Sequence, residues 1–151
     1  MVRSVVELIE PQLTHDQRNV ELSIPPTLAV QAEPVRLRQI LLNLSMNALK
    51  YSPPGSPITF SALPTSYSSP NVILSVIDKG NGIAPQDQGR LFQRFVRLER
   101  DLNSVTRGSG LGLYISRRLV EAMEGKIWVE SSGIPGEGSS FNIQLLMSRN
   151  S

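Results

Sequence analysis

The sequence predicts an α+β fold, a two-layer α/β sandwich in which about three helices cover one face of a mixed, mostly antiparallel sheet. Helix-like and strand-like segments are interspersed along the chain, and several strand-like segments form pairs joined by polar or Gly/Pro turns, as in hairpins. The 151 residues suit one compact domain, and the chain shows neither an internal repeat nor a second domain. We therefore predict a single domain over residues 1–151.

Apolar residues near helical spacing predict four helices. Their predicted bounds are 2–16, 34–52, 86–98 and 110–123. Pro34 suits a first helical turn, and Gly125 is expected to end the last helix. The side chains expected on the apolar sides are Val5, Leu8, Ile9 and Leu13, then Leu37, Ile40, Leu41, Leu44 and Ala48, then Leu91, Phe92 and Phe95, and last Leu111, Ile115, Leu119 and Ala122.

Short apolar runs bounded by turn residues predict six strands. The predicted strands are Val20–Ile24, Leu28–Gln31, Ile58–Leu63, Val72–Asp78, Lys126–Ser131 and Ser140–Leu146. The polar segment Pro64–Asn71 is predicted to be a hairpin turn, and Asp101–Arg107 is predicted to be a loop.

The composition excludes several classes of protein. No apolar stretch approaches the roughly 20 residues that cross a bilayer, and the start of the chain lacks the apolar run of a signal peptide. We therefore expect no membrane insertion and a cytoplasmic location. The chain has no cysteine, which excludes disulfides, thiolate metal sites and cysteine nucleophiles.

The basic residues do not suggest a nucleic-acid binder. Such proteins show a basic stripe interleaved with aromatic residues, whereas here aromatics are 5% and the net charge is only +2. One segment does concentrate arginines, namely Arg90, Arg94, Arg97, Arg100 and Arg107. Composition alone favours a solvated helix face followed by a loop. The position of the segment between two glycine motifs favours a mobile cationic flap over phosphates, which is the interpretation we prefer.

The first of four short motifs places amides on one side of a helix. Asn43 and Asn47 are four residues apart, so both project from the same face, with Lys50 one turn further on. The pair alone would suit a solvent-facing surface. However, asparagine is a mediocre helix former, and amide oxygens suit Mg²⁺. Lys50 offers a charge for phosphate, and Tyr51 offers a flat face for a base.

The second motif places a carboxylate at the end of a strand. Asp78 continues the alternating series of Val72, Leu74 and Val76, and therefore points to the apolar side. One interpretation is an Asx-turn, in which the Asp78 side chain only caps the bend formed by Lys79-Gly80-Asn81-Gly82. The other is that the carboxylate, which only accepts hydrogen bonds, takes one from the adenine amino group and excludes guanine.

Two glycine motifs complete the set. Gly108-Ser-Gly110-Leu-Gly112-Leu113 runs into a helix, where backbone N–H groups can bind phosphate. A dinucleotide fingerprint would need a strand directly before it, and a P-loop would need a following Lys-Ser/Thr; the sequence has neither. Gly136-Glu-Gly138-Ser139 alone is indistinguishable from a hairpin turn.

In this order the four motifs resemble the catalytic ATP-binding domain of sensor histidine kinases, within the wider family of DNA gyrase B, Hsp90 chaperones and MutL. The resemblance extends from about Val5 to Leu146 and implies the Bergerat-type ATP-binding fold. The matching segments are 33–53 for the N box, Asp78–Gly82 for the G1 box, Leu91–Phe95 for the F box, Gly108–Gly112 for the G2 box and Gly136–Ser139 for the G3 box.

The resemblance implies four catalytic residues. Asn47 would coordinate Mg²⁺, with Asn43 nearby in the metal and phosphate shell, and Lys50 and Arg97 would contact phosphate. The cofactors implied are thus ATP and Mg²⁺.

The resemblance also implies how the nucleotide is held. Tyr51 would pack on the adenine, Asp78 would read its amino group, and residues 81–108 would form the ATP lid, anchored by Phe92 and Phe95. The other implied nucleotide-binding residues are Gly80, Gly82, Gly108, Gly110, Leu111, Gly112, Leu113 and Ser139.

The resemblance further implies phosphoryl transfer instead of rapid hydrolysis. The hydrolysing members carry a glutamate where this chain has Asn43, and an amide cannot take a proton from water. No segment resembles the helical H box, and the only histidine, His15, is expected at the surface. The acceptor histidine is therefore expected on a separate helical dimerisation domain, with a response regulator as an indirect partner and the isolated domain a monomer.

Two alternatives share this fold. One is a degenerate module that holds nucleotide, or nothing, and works by docking, although the completeness of the motifs argues against it. The other is a serine kinase of the anti-sigma type.

Overall fold

The computed structural model describes residues 1–26, 28–65, 71–93 and 112–147. The helices are α1 (Val2–His15), α2 (Pro34–Tyr51), the short α3 (Pro85–Gln88) and α4 (Gly112–Ala122). The strands are β1 (Val20–Ser23), β2 (Ile58–Pro64), β3 (Asn71–Asp78), β4 (Lys126–Glu130) and β5 (Ser139–Leu146). Within these ranges, none of the helices has the length and apolar character needed to cross a membrane.

The five strands form one mixed sheet in the order β1-β2-β3-β5-β4. Only β1 and β2 are parallel, with α2 in the connection between them, and the other three pairings are antiparallel. The predicted mixed, mostly antiparallel α+β sheet is therefore confirmed. The central pair β3 and β5 are both eight residues long and are paired along their full length, which places Asp78 opposite Ser139.

One face of the sheet is the core. Phe60, Val76, Phe141 and Val129 are aligned across four strands, and all four are buried. The predicted apolar stripe of α2 is confirmed, because each of its five residues is at most 5% exposed. Since β3 alternates strictly between buried and half-buried residues, Asp78 lies on the core side of the sheet, as predicted.

Some predicted elements differ from the structure. Val5, Ile9 and Leu13 of α1 are buried, but Leu8 is exposed because it lies on the outer side of the same helix. The segment Leu28–Gln31 makes only an isolated bridge, from Val30 to Met147, instead of a strand.

The predicted helix over 86–98 is largely wrong within the described residues. Only Pro85–Gln88 is helical, and turns follow from Gly89, since glycine is a poor helix former; residues 94–98 lie outside the described residues. Leu91 and Phe92 are nonetheless buried, as predicted, and Phe92 packs edge-on against Phe141 with ring centroids 6.3 Å apart.

The apolar side of α4 also differs from the prediction. Ser116 and Val120 are its buried residues, whereas Ile115 and Ala122 are exposed, because the helix is turned by about one residue from the expected face. The end of α4 is a Schellman motif in which Glu124, at φ 59°, takes the left-handed position expected for Gly125. Gly125 is required for another reason, since a Cβ atom there would lie 2.4 Å from the Gln144 carbonyl oxygen.

A buried arginine closes the end of α2. The Arg18 guanidinium donates to the carbonyl oxygens of Leu49 and Ser52 at 3.1 and 2.7 Å and to the Ser52 hydroxyl at 2.6 Å. Its charge is paired with Asp16 at 3.3 Å. Hydrogen bonds from the Gln12 side chain and from Arg18 hold the pKa of the Asp16 carboxyl below its ordinary value. Arg18 thus satisfies helix-end carbonyls that would otherwise lack partners.

Replacing Arg18 with methionine is expected to destabilise the domain by roughly 3 kcal/mol, because several buried acceptors lose a charged donor at once. Urea denaturation of both proteins measures the difference. Arg117→Ala is the matched control: its pair with Glu121 is exposed, so its loss should change the stability by less than about 0.5 kcal/mol. Equal effects of the two substitutions would contradict the assigned role of Arg18.

Candidate nucleotide site

Three of the four sequence motifs meet where α2 and β3 end and β5 begins. Gly80 lies directly against the last residue of α2, since a Cβ atom at Gly80 would be 2.1 Å from the Tyr51 carbonyl oxygen. Only glycine permits this approach. The bend after β3 and the polar end of α2 are therefore adjacent, although 28 residues lie between Tyr51 and Gly80 in the sequence.

Asp78 is the buried carboxylate of this region, at 2% exposure. Its Oδ1 accepts from the Gly80 N–H at 2.8 Å, and its Oδ2 accepts from the Ser139 hydroxyl at 3.3 Å. The bond to Gly80 is the Asx-turn that the sequence left as an alternative. It does not compete with ligand binding, because the two oxygens of a carboxylate offer about four lone pairs.

The fourth motif packs on the second. The N–H groups of Gly136 and Gly138 both donate to the Gly80 carbonyl oxygen, at 3.0 and 3.1 Å. Gly138 has φ +71°, and a Cβ atom there would lie 1.9 Å from the Asp78 carbonyl oxygen. Gly82, at φ +76°, is buried in the same region. The turn that looked ordinary in the sequence is thus part of the wall around Asp78.

The amide pair lies on the same face of α2, as predicted, and both side chains are half-buried instead of fully solvent-facing. Asn43 Nδ2 donates to the Gly112 carbonyl oxygen at 3.4 Å and to the Ser116 hydroxyl at 3.3 Å. Because a backbone carbonyl can only accept, the amide nitrogen must face α4. The amide oxygen of Asn43 therefore lies on the side of the amide group that faces away from these α4 partners.

The third motif is only partly described. Gly112 begins α4 and is exposed, and Leu113 is half-buried; at the end of α2, Lys50 is exposed and Tyr51 half-buried. Arg97, Gly108, Gly110, Leu111 and Phe95 lie outside the described residues, as does the predicted lid from residue 94 onward. The bond from Asn43 to Gly112 nevertheless places the start of α4 beside the amide face of α2.

The donor set near the site fits a hard cation. No cluster of three or more His, Cys, Asp or Glu side chains able to hold a metal occurs in the described parts of the chain. A metal here would depend on amide oxygens, water and nucleotide phosphates. Mg²⁺ prefers this combination, since it keeps several waters and binds few protein oxygens.

Sequence reasoning missed three polar side chains near the site. Ser116, buried in α4, accepts from Asn43; Ser131 and Gln88 bond to the backbone of the bend after β3 and of the β4–β5 turn. Only Ser131 carried a signal, because Ser-Ser-Gly after a strand is typical of a serine turn.

The fold and this site define a class of protein: an ATPase-type α+β domain with a buried carboxylate enclosed by glycine turns. Residues 32–149 match the family described as histidine kinase-, DNA gyrase B- and HSP90-like ATPase, and the chain belongs to this family.

Individual relatives narrow the likeness to sensor kinases. The chain is 40% identical over 147 residues to the adaptive-response sensory kinase SasA of Synechococcus elongatus, covering 96% of this chain and 36% of SasA. It is 43% identical over 119 residues to the sensor protein GacS of Pseudomonas syringae pv. syringae, covering 78% of this chain and 13% of GacS. The full-length structure of ShkA in complex with AMPPNP is 32% identical, with a TM-score of 0.81 over 99% of this chain and 30% of that chain. The chain spans about a third of the length of the SasA relatives.

Proposed function

We propose that the chain is a single ATP-binding catalytic domain that donates the γ-phosphate of ATP, with Mg²⁺, to a histidine on a separate helical dimerisation domain. The observation that carries the proposal is the placement of Asp78: a buried carboxylate, held by the Gly80 N–H and the Ser139 hydroxyl, at a strand end whose following bend lies against the last residue of α2. Family membership and likeness to sensor kinases support it.

In this proposal Asp78 accepts a hydrogen bond from the adenine amino group. Guanine carries a carbonyl at that position, so two acceptors would face each other and guanine nucleotides would bind poorly. Gly80 and Gly82 let the backbone come close to the base, Tyr51 packs on its face, and Ser139 holds the carboxylate in place.

The phosphates would lie along the amide face of α2. Asn47, with Asn43 beside it, would hold Mg²⁺, while Lys50 and Arg97 contact phosphate oxygens. A bound Mg²⁺ neutralises phosphate charge. The remaining phosphate contacts are assigned to the backbone of the third motif, at Gly108, Gly110, Leu111, Gly112 and Leu113.

The chemistry fits transfer to a histidine better than hydrolysis. The phosphoryl group leaves ADP as a nitrogen of the acceptor imidazole bonds to its phosphorus, and such transfer depends mainly on positioning and charge. Asn43 cannot act as a base towards water, and its nitrogen is engaged with α4. We infer a cytoplasmic domain, with a response regulator receiving the phosphoryl group from the histidine.

Two measurements test the proposal. Isothermal titration with a non-hydrolysable ATP analogue and Mg²⁺ should show saturable binding; no binding at millimolar ligand would favour the docking module. The domain is then mixed with a histidine-bearing helical hairpin and labelled ATP. An acid-labile product is expected, because phosphohistidine is lost in acid, whereas an acid-stable product would indicate a serine kinase.

A further inference from the structure

Ser131 stands directly after β4, and its hydroxyl is bonded to three backbone groups. The hydroxyl donates to the Gly138 carbonyl oxygen at 2.9 Å and accepts from the N–H groups of Ile83 at 2.9 Å and Gly133 at 3.2 Å. A serine hydroxyl has one proton and two lone pairs, so these bonds use its full capacity. One side chain therefore joins both ends of the β4–β5 turn to the bend after β3.

Gln88 makes a second connection between the same two segments. Its Nε2 donates to the Ile83 carbonyl oxygen at 3.0 Å and to the Ser131 carbonyl oxygen at 2.9 Å. Ile83 is only 1% exposed, and both its N–H and its carbonyl group are held by these two side chains. Since Gln88 ends α3, the connection also fixes the start of the segment predicted as the ATP lid.

The connection continues to the carboxylate. Gly138, held by Ser131 through its carbonyl group, donates through its N–H to the Gly80 carbonyl oxygen at 3.1 Å. Gly80 in turn donates to Asp78, and Ser139, which follows Gly138, donates to the other Asp78 oxygen. The two segments that donate to the Asp78 carboxylate, the bend at Gly80 and the turn that leads to Ser139, are thus both connected to Ser131 by hydrogen bonds.

We propose that Ser131, assisted by Gln88, is a positioning residue for adenine recognition. It orients the Asp78 carboxylate towards the adenine amino group without contacting the nucleotide. The inference rests on the proposed function, in which Asp78 reads the adenine amino group. Losing the Ser131 hydroxyl leaves three backbone groups without this partner, and the glycine turns that enclose Asp78 can then shift.

The test compares ATP with purine riboside triphosphate, which lacks the 6-amino group, in titrations with Mg²⁺ on the 151-residue chain. Ser131→Ala should weaken the binding of ATP about tenfold but that of purine riboside triphosphate less than about twofold. The difference is expected because only ATP has the 6-amino group that donates to the Asp78 carboxylate. Ser131→Thr keeps the hydroxyl and should restore ATP affinity to within about threefold. Ser132→Ala is the matched control: the exposed Ser132 hydroxyl bonds to Glu137 and to the Ile134 N–H within the β4–β5 turn but, in the described bonds, not to the bend after β3, so its loss should change neither affinity.

The outcomes separate the inference from the function on which it rests. If the unmodified protein does not bind ATP, the proposed function fails. If it binds ATP and Ser131→Ala binds equally well, or loses the same factor for both nucleotides, the positioning role is wrong. Should Ser131→Ala fail to fold by circular dichroism, Gln88→Ala decides: a selective loss for ATP supports the inference, and unchanged discrimination overturns it.

Discussion

Replacing Asp78 with asparagine is expected to lower the affinity for ATP at least about 100-fold while leaving the domain folded. The amide has nearly the same shape as the carboxylate, and its oxygen can still accept from the Gly80 N–H, which the carboxylate accepts at 2.8 Å. The Ser139 hydroxyl can turn to accept from the new NH₂ group. The local turn should therefore persist.

The loss of affinity follows from the hydrogen-bonding groups that asparagine presents to adenine. In one orientation the asparagine oxygen keeps the bond to Gly80, and the NH₂ group faces the adenine amino group as a second donor, which is repulsive. In the other orientation the oxygen accepts from adenine as a neutral acceptor, and the bond to Gly80 is lost. Both arrangements remove a charge-assisted hydrogen bond to Asp78, which is only 2% exposed and therefore lies where the low local dielectric strengthens such a bond.

Titration of Asp78→Asn with a non-hydrolysable ATP analogue and Mg²⁺ measures the effect, and circular dichroism checks the fold. Asp87→Asn is the matched control, because that carboxylate is 30% exposed and its ion pair with Arg90 is long, at 3.9 Å. Its affinity should be unchanged. An Asp78→Asn protein that binds the analogue as well as the unmodified protein would contradict the adenine-reading role.

The parts of the fold that the sequence predicted depend on local periodicity. The buried stripe of α2 follows from spacing along one helix, and the inward direction of Asp78 follows from the two-residue period of β3. Both patterns are read over a few neighbouring residues, so no knowledge of the tertiary structure is needed. The same applies to Asn43 and Asn47, whose shared face is fixed by helix geometry.

The features that the sequence could not predict depend on contacts between residues that are distant in the chain. Ser131 bonds to Ile83, 48 residues away, and Arg18 bonds to Ser52, 34 residues away. No periodicity links such residues, since their contact follows from the way the sheet and helices pack. The buried face of α4 was missed for a related reason: the small polar Ser116 occupies the core position beside Asn43, so counting apolar residues selected the wrong side.

Replacing Gly138 with alanine is expected to destabilise the domain by roughly 2–5 kcal/mol and to abolish ATP binding. Two effects add. A side chain at φ +71° costs about 1–2 kcal/mol, and the new Cβ atom would lie 1.9 Å from the Asp78 carbonyl oxygen. That oxygen belongs to the backbone of β3, which is paired along its length with β5 and cannot move aside without breaking the sheet.

Two other glycines separate these effects. Gly136→Ala has φ +88° but no atom within 4 Å of the new Cβ, so it should cost only the conformational strain of about 1–2 kcal/mol. Gly89→Ala, at φ −70° with open space, should be neutral or stabilising by up to about 1 kcal/mol. Urea denaturation of the three variants should therefore rank Gly138→Ala as the most destabilised and Gly89→Ala as the least. If Gly138→Ala were no worse than Gly136→Ala, the close approach of the β4–β5 turn to Asp78 would be wrong, and with it the geometry on which adenine recognition depends.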